Sequence, residues 1–321
     1  MNPILIKSET KDLTFSRIDW DDATYRTTYD RPIESLILSI KTIGLQQLPV
    51  LQKKAQGRFC IVTGNRRLRS LQKIGRNPVS CKIVTNGIKE NDLFLFNFHD
   101  NCVRGFNSVE KSFIVKKMAF FIEERELIQR YLPLLDLPPK KEIFDRFLRI
   151  SEMSPIYWPA LIQGRLFPET IESVIREFLP LAHLIFALFI FFRWGFQKQK
   201  EFLTELKEIC IRRSEKPKKI LSTSTIMILL QQPTWTPQQK GQAFRKFFRN
   251  CRYPALTDTE KTFEAMISPL NLDQRTRINP PPFFEGGHYD LAVHFSSSKE
   301  LKESLEKIIK VLEEGKLNGL P

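Results

Sequence analysis

The sequence predicts an α/β N-terminal domain, followed by an all-α region and a small C-terminal α+β segment. Up to about residue 124, short apolar runs alternate with glycine-bearing turns, which is typical of α/β domains. From 125 to 215 apolar residues recur at helical spacing, with breaks at prolines. The last part holds a triple-proline turn, an apolar run and an amphipathic closing segment. We therefore expect domains at residues 1–124, 125–215 and 216–321.

The clearest α/β unit lies between residues 59 and 84. Apolar runs at 59–62 and 79–84 predict two strands. Between them Gly64 ends the first run, Asn65 suits a helix N-cap, and apolar residues recur at helical spacing up to Gly75. The segment is therefore predicted to be a strand, a tight turn, a short helix and a second strand.

Three arginines, Arg66, Arg67 and Arg69, lie at the start of this predicted helix. A helix N-terminus offers free backbone N–H groups and the positive end of the helix dipole, and both favour an anion. Cations at the same place are unfavourable unless an anion neutralises them. We expect that anion to be phosphate.

The whole chain is strongly basic, with 321 residues, a net charge of +14 and a pI near 9.6. Residues 51–89 carry ten Lys or Arg and no Asp or Glu, and residues 240–252 carry five and none. Such an excess favours nucleic acid or a nucleotide as partner. A solvated basic face with no partner is the alternative.

Three features predict a cytoplasmic protein without a membrane partner. Five cysteines are scattered singly with no C-x-x-C spacing, which favours reduced thiols. The N-terminus lacks the apolar core of a signal peptide. The most apolar run, residues 179–192, has 14 residues, fewer than the roughly 20 that a spanning helix needs, so we expect a buried core helix.

Three stretches resemble, in order, sequence boxes of the ParB/sulfiredoxin-like nucleotide-binding fold, and specifically of ParB-like DNA-partition proteins. Residues 64–70, GNRRLRS, resemble the G-E-R-R-x-R-A box. Residues 36–50 resemble the upstream box that contains Ser-Ile, a glycine and a proline, and residues 100–104, with the later Glu110, resemble the E-N-x-x-R box. The resemblance covers residues 33–115 and implies a divergent paralogue with this fold.

In that family the boxes converge on one nucleotide, which in ParB proteins is usually CTP. The resemblance implies CTP or another NTP with Mg²⁺, which would bridge phosphate oxygens and contact Asn101. The implied nucleotide-binding residues are Gly44, Gln47 and Pro49 on the base side, Gly64, Asn65, Arg66, Arg67 and Arg69 around the phosphates, and Asn101, Arg104 and Glu110 at the far side.

Asn65 departs from the family pattern in a way that bears on enzyme activity. The box has an acidic residue at this position, so the resemblance leaves nucleotide hydrolysis open, implies at most a weak CTP hydrolase and assigns no catalytic residue. Sulfiredoxin has a cysteine here, and without that thiolate its chemistry has no nucleophile. The chain is therefore not expected to be a sulfiredoxin.

Residues 127–150 are predicted to form a helix-turn-helix. The first helix should end near Leu135, the prolines at 138–139 should make the turn, and the second helix should begin at Lys140. The residues expected to face inwards are Ile143, Phe147 and Ile150. The residues expected to remain outside, where they can reach DNA phosphates, are Lys140, Lys141, Arg146 and Arg149. An ordinary helical hairpin with a charged face is the alternative.

The resemblance implies a bacterial, nucleoid-associated homodimer that binds DNA, in which nucleotide state switches the grip on DNA, with a partition ATPase as a further partner. A strand at 289–295 and a closing helix could dimerise, as in ParB proteins. The apolar face expected on that helix is Leu301, Leu305, Ile308, Ile309 and Leu312. Two alternatives stay open: a nucleotide-dependent kinase or nuclease on the same fold, and a binding module that has lost nucleotide binding.

Overall fold

The structure is a computed structural model that describes residues 6–29, 31–85 and 87–321. The chain divides into two compact units, Met1–Phe196 and Gln197–Pro321. The domain limits expected near residues 124 and 215 are a finer division and stay predictions.

The first unit is built on a five-stranded mixed sheet, which confirms the predicted α/β domain. Its strands are β1 (Ser8–Leu13), β2 (Ile18–Asp19), β3 (Val50–Lys53), β4 (Phe59–Thr63) and β5 (Val79–Val84). They lie in the order β1-β5-β3-β4-β2. The β1–β5 and β3–β4 pairs are antiparallel, whereas β3–β5 and β2–β4 are parallel. The helices of this part are α1 (Glu34–Ile43), α2 (Asn65–Ile74) and α3 (Glu90–Cys102).

Both faces of β4 are buried, so packing fixes the position of its C-terminal end. Phe59 and Ile61 join the apolar cluster to which α2 contributes Leu68. Cys60 and Val62 are fully buried and face the opposite side, because side chains alternate along a strand. Helix α3 packs against β4, and its buried residues lie outside that cluster, so it covers the second face. The turn that follows β4 is fixed from both sides.

A run of helices completes the first unit. They are α4 (Ser108–Met118), α5 (Glu124–Glu126), a π-helical turn (Leu127–Tyr131), α6 (Leu132–Leu134), α7 (Lys141–Ser151), α8 (Trp158–Ile162), α9 (Pro168–Phe178) and α10 (Ala182–Phe192). The predicted break at 138–139 separates α6 from α7 and is confirmed. Helix α7 packs against α4 and α9 and buries Phe144 as well as Phe147 and Ile150. The inward position expected for Ile143 is wrong, because the buried face is centred on Phe144 and leaves Ile143 only partly buried.

The apolar segment is longer than the sequence suggested. Helices α9 and α10, joined by the 3₁₀ turn Leu179–Leu181, form a helical run of 25 residues, Pro168–Phe192. By length and composition it is the one helix in the described part of the chain that could cross a membrane. The length argument from residues 179–192 is therefore wrong. The expected burial is confirmed for α10, where Ile185 and Phe186 lie in the interior.

The second unit is mostly helical and ends in a small α+β segment, as predicted. Its elements are α11 (Phe196–Arg213), α12 (Pro217–Leu221), α13 (Ser224–Gln231), α14 (Pro237–Arg252), α15 (Pro254–Ile267), β6 (Thr276–Asn279), β7 (Asp290–Val293) and α16 (Ser298–Glu313). Strands β6 and β7 pair antiparallel, which confirms the strand predicted near 289–295.

The apolar face of α16 is only partly the predicted one. Ile308 is buried, together with Ser304 and Val311 at helical spacing. Three other predicted face residues, Leu305, Ile309 and Leu312, are 43%, 51% and 56% exposed. Only part of the predicted apolar face is therefore buried, because the buried stripe of this helix runs through Ser304.

Candidate functional site

A cavity of about 680 Å³ opens where β4 ends and α2 begins. Its other walls come from the segment 22–28, from residues before β3 and from the C-terminal part of α3. Among the residues predicted to bind nucleotide, those that line it are Gln47, Gly64, Asn65, Arg66, Arg67, Asn101 and Arg104. The four that do not line it are Gly44, Pro49, Arg69 and Glu110.

The turn between β4 and α2 needs glycine at residue 64 for two reasons. Gly64 has φ +93°, in the left-handed region that other residues rarely adopt. A Cβ atom added to it would lie 2.9 Å from both Cα and Cβ of Pro49. Gly64 is also the N-cap of α2, so the N-cap expected at Asn65 is wrong by one position. The left-handed glycine makes the turn, and the Asn65 Oδ1 atom instead accepts a hydrogen bond of 2.9 Å from Arg69 Nε.

The start of α2 has unused hydrogen-bond donors. The first backbone N–H groups of a helix have no intrahelical partner. No described side chain caps them in α2, so they are open to a ligand. Arg66 donates from Nη2 to the carbonyl of Pro32 at 2.7 Å. Its Nε is buried and has no hydrogen-bond partner among the residues that the structure describes. A buried donor without a partner costs about 1–3 kcal/mol, so an acceptor bound here would be stabilising.

Arg67 joins two walls of the cavity. It donates from Nη1 to the carbonyl of Gln47 at 3.0 Å and from Nη2 to Asp100 Oδ2 at 3.3 Å. The same Asp100 oxygen accepts a hydrogen bond of 2.5 Å from Thr63 Oγ1. Burial lowers the pKa of Arg67, and the charge of Asp100 opposes this shift. Because arginine starts with a pKa far above neutrality, Arg67 stays cationic.

A chain of hydrogen bonds holds the opposite wall. Arg104 donates from Nε to Asn101 Oδ1 at 2.7 Å, and Asn101 donates from Nδ2 to the Asn97 carbonyl at 2.8 Å. Thr27 donates from Oγ1 to Asn97 Oδ1 at 3.1 Å. Arg104 also reaches Thr28 Oγ1, donating from Nη2 at 2.9 Å. Both ends of the Asn101 amide are therefore fixed before any ligand binds.

Glu110 supports this wall from behind. Its side chain is fully buried and pairs with Arg31 at 2.7 Å and with Arg104 at 3.2 Å. The backbone N–H groups of Tyr29 and Asn107 also donate to it, each at 3.0 Å. Burial favours a higher pKa for Glu110, but the hydrogen bonds from Arg31 and the backbone and the charge of Arg104 outweigh it and hold the pKa below its ordinary value. Glu110 thus positions Arg104 and does not line the cavity.

Sequence reasoning missed the segment 22–28 and Arg31. The segment follows the short strand β2 and has no helix or strand of its own, and no box of the family resemblance covers it. Its residues reach the cavity only because Asn97 and Arg104 bind Thr27 and Thr28. These contacts join residues about 70 positions apart, and no local pattern in the sequence reports them.

Few protein oxygens are available for a cation. Asp100 and Asn101, which are consecutive in the sequence, both line the cavity and carry side-chain oxygens. Within residues 6–29, 31–85 and 87–321, no group of three or more His, Cys, Asp or Glu side chains could hold a metal ion. A divalent cation at this site would need phosphate oxygens for most of its coordination sphere.

Helix α7 offers fewer free cations than predicted. Arg146 pairs with Glu172 at 2.6 Å and with Glu169 at 3.3 Å, and its side chain is only 16% exposed. The expectation that Arg146 remains outside is therefore wrong, because both acids lie on α9, which packs against α7. Arg149 also pairs with Glu172, at 3.4 Å, but stays exposed.

The two lysines predicted to contact DNA differ in their ion pairs. Lys141 pairs with Glu124 at 2.7 Å and with Asp145 at 3.1 Å. Lys140 precedes the helix as its N-cap and is exposed, with no ion pair in the described part of the chain. Of the four predicted DNA contacts, Lys140 is the one that keeps an uncompensated charge.

Comparison with known proteins identifies part of the chain. The profile of the ParB N-terminal domain matches residues 5–95. The C-terminally truncated chromosome-partitioning protein ParB from Caulobacter crescentus, complexed with CTP-γ-S, is 17% identical over 55% of this chain and 98% of that chain, with a TM-score of 0.25. The truncated Caulobacter crescentus ParB complexed to the centromeric parS site is 16% identical over 55% and 91%, with a TM-score of 0.34. A search of curated proteins gives no match.

The matched region and the observed fold agree in extent. Residues 5–95 contain all five strands of the first sheet, helices α1 and α2, and the first part of α3. Gln47 and the turn from Gly64 to Arg67 lie inside the match, whereas Asn101 and Arg104 lie just beyond it. Residues 5–95 therefore form a ParB-like N-terminal domain.

Proposed function

We propose that the chain is a nucleotide-dependent DNA-binding protein with a role in DNA partition, and that its first cavity binds CTP or another NTP with Mg²⁺. The observation that carries the nucleotide proposal is Arg66, beside the uncapped start of α2. Its buried Nε has no acceptor in the described part of the chain. A phosphate oxygen is the acceptor that fits both, because helix N-termini and guanidinium groups each favour phosphate. CTP as the nucleotide comes from the family resemblance.

The cavity walls suggest a role for each residue. Arg66 and the first N–H groups of α2 would bind phosphate oxygens from one side, and Arg104 would bind them from the other. Mg²⁺, when bound, would neutralise phosphate charge, with Asp100 and Asn101 as its protein contacts. Arg104 Nε uses one lone pair of the Asn101 Oδ1 atom, and the second lone pair is the one that could contact Mg²⁺.

The nucleotide proposal predicts selective loss of binding in Arg66→Ala. We expect the full chain to bind CTP with Mg²⁺, and Arg66→Ala to weaken binding at least tenfold, since a hydrogen bond to a charged group contributes about 1.5–3 kcal/mol. Isothermal titration with CTP, ATP, GTP and UTP measures both. Lys73→Ala is the matched control, because Lys73 is an exposed cation on the same helix that does not line the cavity.

Each other outcome of this titration favours one alternative. Preferred binding of ATP, with loss of its γ-phosphate to a substrate, would favour a kinase on this fold. Binding of DNA without binding of any nucleotide would favour a module that has lost the nucleotide. Equal weakening by Arg66→Ala and Lys73→Ala would show a general charge effect and contradict the proposed phosphate site.

We also propose that α7 and its N-cap contact DNA phosphates. Lys140 can bind a DNA phosphate without breaking an ion pair, whereas Arg146 and Arg149 both pair with Glu172. A DNA phosphate that binds either arginine must therefore replace a carboxylate. This exchange would make the dependence of DNA affinity on salt concentration weaker than the number of basic residues suggests.

Glu172→Gln tests this arrangement. Removal of the carboxylate frees Arg149 and leaves Arg146 paired with Glu169 alone. We therefore expect tighter DNA binding at low salt and a log affinity–log salt slope that is steeper by about 0.9 for each additional DNA phosphate that these arginines neutralise. Fluorescence anisotropy with mixed-sequence duplex DNA, titrated at several salt concentrations, gives both quantities. Glu142→Gln is the control, because it removes an exposed acid from α7 itself. Identical behaviour of the two variants would rule out DNA binding by these arginines.

A homodimer and a partition ATPase partner complete the proposed function. The C-terminal segment supports dimerisation, because α16 leaves Leu305, Ile309 and Leu312 exposed, and β7 exposes Leu291. Exposed apolar residues on neighbouring elements are typical of a surface that another protein covers. The ATPase partner rests on the family resemblance.

A further inference from the structure

A second cavity, of about 400 Å³, lies on the other side of the segment 26–28. Five aromatic side chains line it: Tyr29, Phe94, Phe113, Phe120 and Trp158. None of these residues was marked by the sequence boxes. The volume of this cavity lies within the range that small-molecule sites occupy, roughly 300–1,000 Å³.

The aromatic wall is held in place by ring contacts. Trp158 packs edge-to-face against Tyr29, with ring centroids 4.8 Å apart, and against Phe113 at 5.0 Å. Phe94 is buried beneath the cavity, whereas Phe120 is 79% exposed at its edge. This exposed ring offers apolar surface to a ligand at the edge of the cavity.

Two residues that line this cavity carry hydrogen-bond donors without a partner among the described residues. The Trp158 Nε1 atom is buried and has no hydrogen-bond acceptor among the described residues. Lys116 lines the cavity, and no ion pair of it occurs within the part of the chain that the structure describes. The neighbouring Lys117 makes only an exposed pair of 3.4 Å with Glu90.

The charge at this cavity is positive despite the presence of one acid. Arg26, Lys116 and Lys117 line it, and Glu110 is the acidic residue of its wall. The Glu110 carboxylate is already neutralised by Arg31 and Arg104. An anionic group bound beside Lys116 would therefore meet cations and the indole N–H without facing a free carboxylate.

We propose that this second cavity is a binding site for a small aromatic anion, a flat ring system with a carboxylate or a similar acid group. The ring lies against the surface that Tyr29, Phe113 and Trp158 form together, and the acid group accepts hydrogen bonds from Lys116 and from Trp158 Nε1. The site is separate from the first cavity, and its occupation does not require a nucleotide.

The proposal is tested with 2-naphthoate and the full-length chain, without nucleotide or DNA. We expect saturable binding by isothermal titration and a shift of the Trp158 indole N–H resonance, identified by its absence in Trp158→Phe. Lys116→Gln should weaken binding about tenfold, and Trp158→Phe, which keeps an aromatic ring, about fivefold. Uncharged 2-naphthamide should bind the unchanged chain about tenfold more weakly than the acid.

Two controls separate a specific site from a non-specific apolar crevice. Lys73→Gln removes an exposed lysine away from the cavity and should leave binding of 2-naphthoate unchanged. Circular dichroism of each variant verifies the fold. Absence of saturable binding, or equal binding of the acid and the amide with no effect of Lys116→Gln, would overturn the proposal.

Discussion

Glu110→Gln is expected to lower the free energy of unfolding by about 3–5 kcal/mol, the usual cost of breaking a buried ion pair by removing one partner. The Glu110 side chain is fully buried between Arg31 and Arg104. Glutamine keeps the shape but places an NH₂ group against two guanidinium groups, which leaves buried positive charge uncompensated. Urea unfolding followed by circular dichroism measures the loss.

The stabilisation that Glu110 provides is expected to decrease at acidic pH. Its pKa is lower in the folded chain than the ordinary value of 4.5. A lowered folded pKa means that the stabilisation is complete above pH 4.5 and is lost as the pH falls through the folded pKa. The unchanged chain should therefore lose stability in this acidic range more steeply than Glu110→Gln. Glu152→Gln, a substitution of an exposed acid, is the control and should change stability at neutral pH by less than about 0.5 kcal/mol.

Gly64→Ala is expected to destabilise the chain by about 2–6 kcal/mol and to weaken nucleotide binding. The range joins two costs of about 1–3 kcal/mol each, one for a strained φ and one for overpacking. The new methyl group would lie 2.9 Å from two atoms of Pro49, and backbone must move to relieve that contact. Since the same turn aims the first N–H groups of α2, the movement should disturb the proposed phosphate contacts.

Gly75→Ala separates the two costs. Gly75 ends the same helix with φ +78°, but a Cβ atom there would meet nothing within 4 Å. It should therefore show only the conformational cost, about 1–2 kcal/mol, with no loss of nucleotide binding. Thermal unfolding and CTP titration of both variants give the comparison. If Gly75→Ala were as harmful as Gly64→Ala, contact with Pro49 would not be the decisive cost.

Local sequence signals predicted the α/β unit and its turn well. Gly64, the apolar runs around it and Gly75 lie within a few residues of each other, so propensity and spacing alone place β4, α2 and β5. The exact start of α2 was missed by one residue, because a left-handed glycine can take the N-cap position that Asn65 also suits. Boundaries are decided by the backbone geometry of single residues, which composition does not report.

The charged residues that hold the cavity walls in position could not be predicted in the same way. Arg31 meets Glu110 across 79 positions of sequence, and Arg146 meets Glu172 across 26. A free arginine and a paired arginine look alike in a sequence, because pairing depends on how helices pack. This is why Arg146 was expected outside, and why Glu110 was expected to touch the ligand when it holds Arg104 in position instead.

Arg26, Thr27 and Thr28 line both cavities, so one short stretch of chain is a wall shared by two chambers. A shift of that wall that enlarges one chamber narrows the other. Binding in one chamber would thereby change the affinity of the other chamber for its ligand. This linkage is reciprocal, so each ligand changes the affinity for the other by the same factor. A metabolite in the aromatic chamber could in this way set the concentration at which the nucleotide chamber fills.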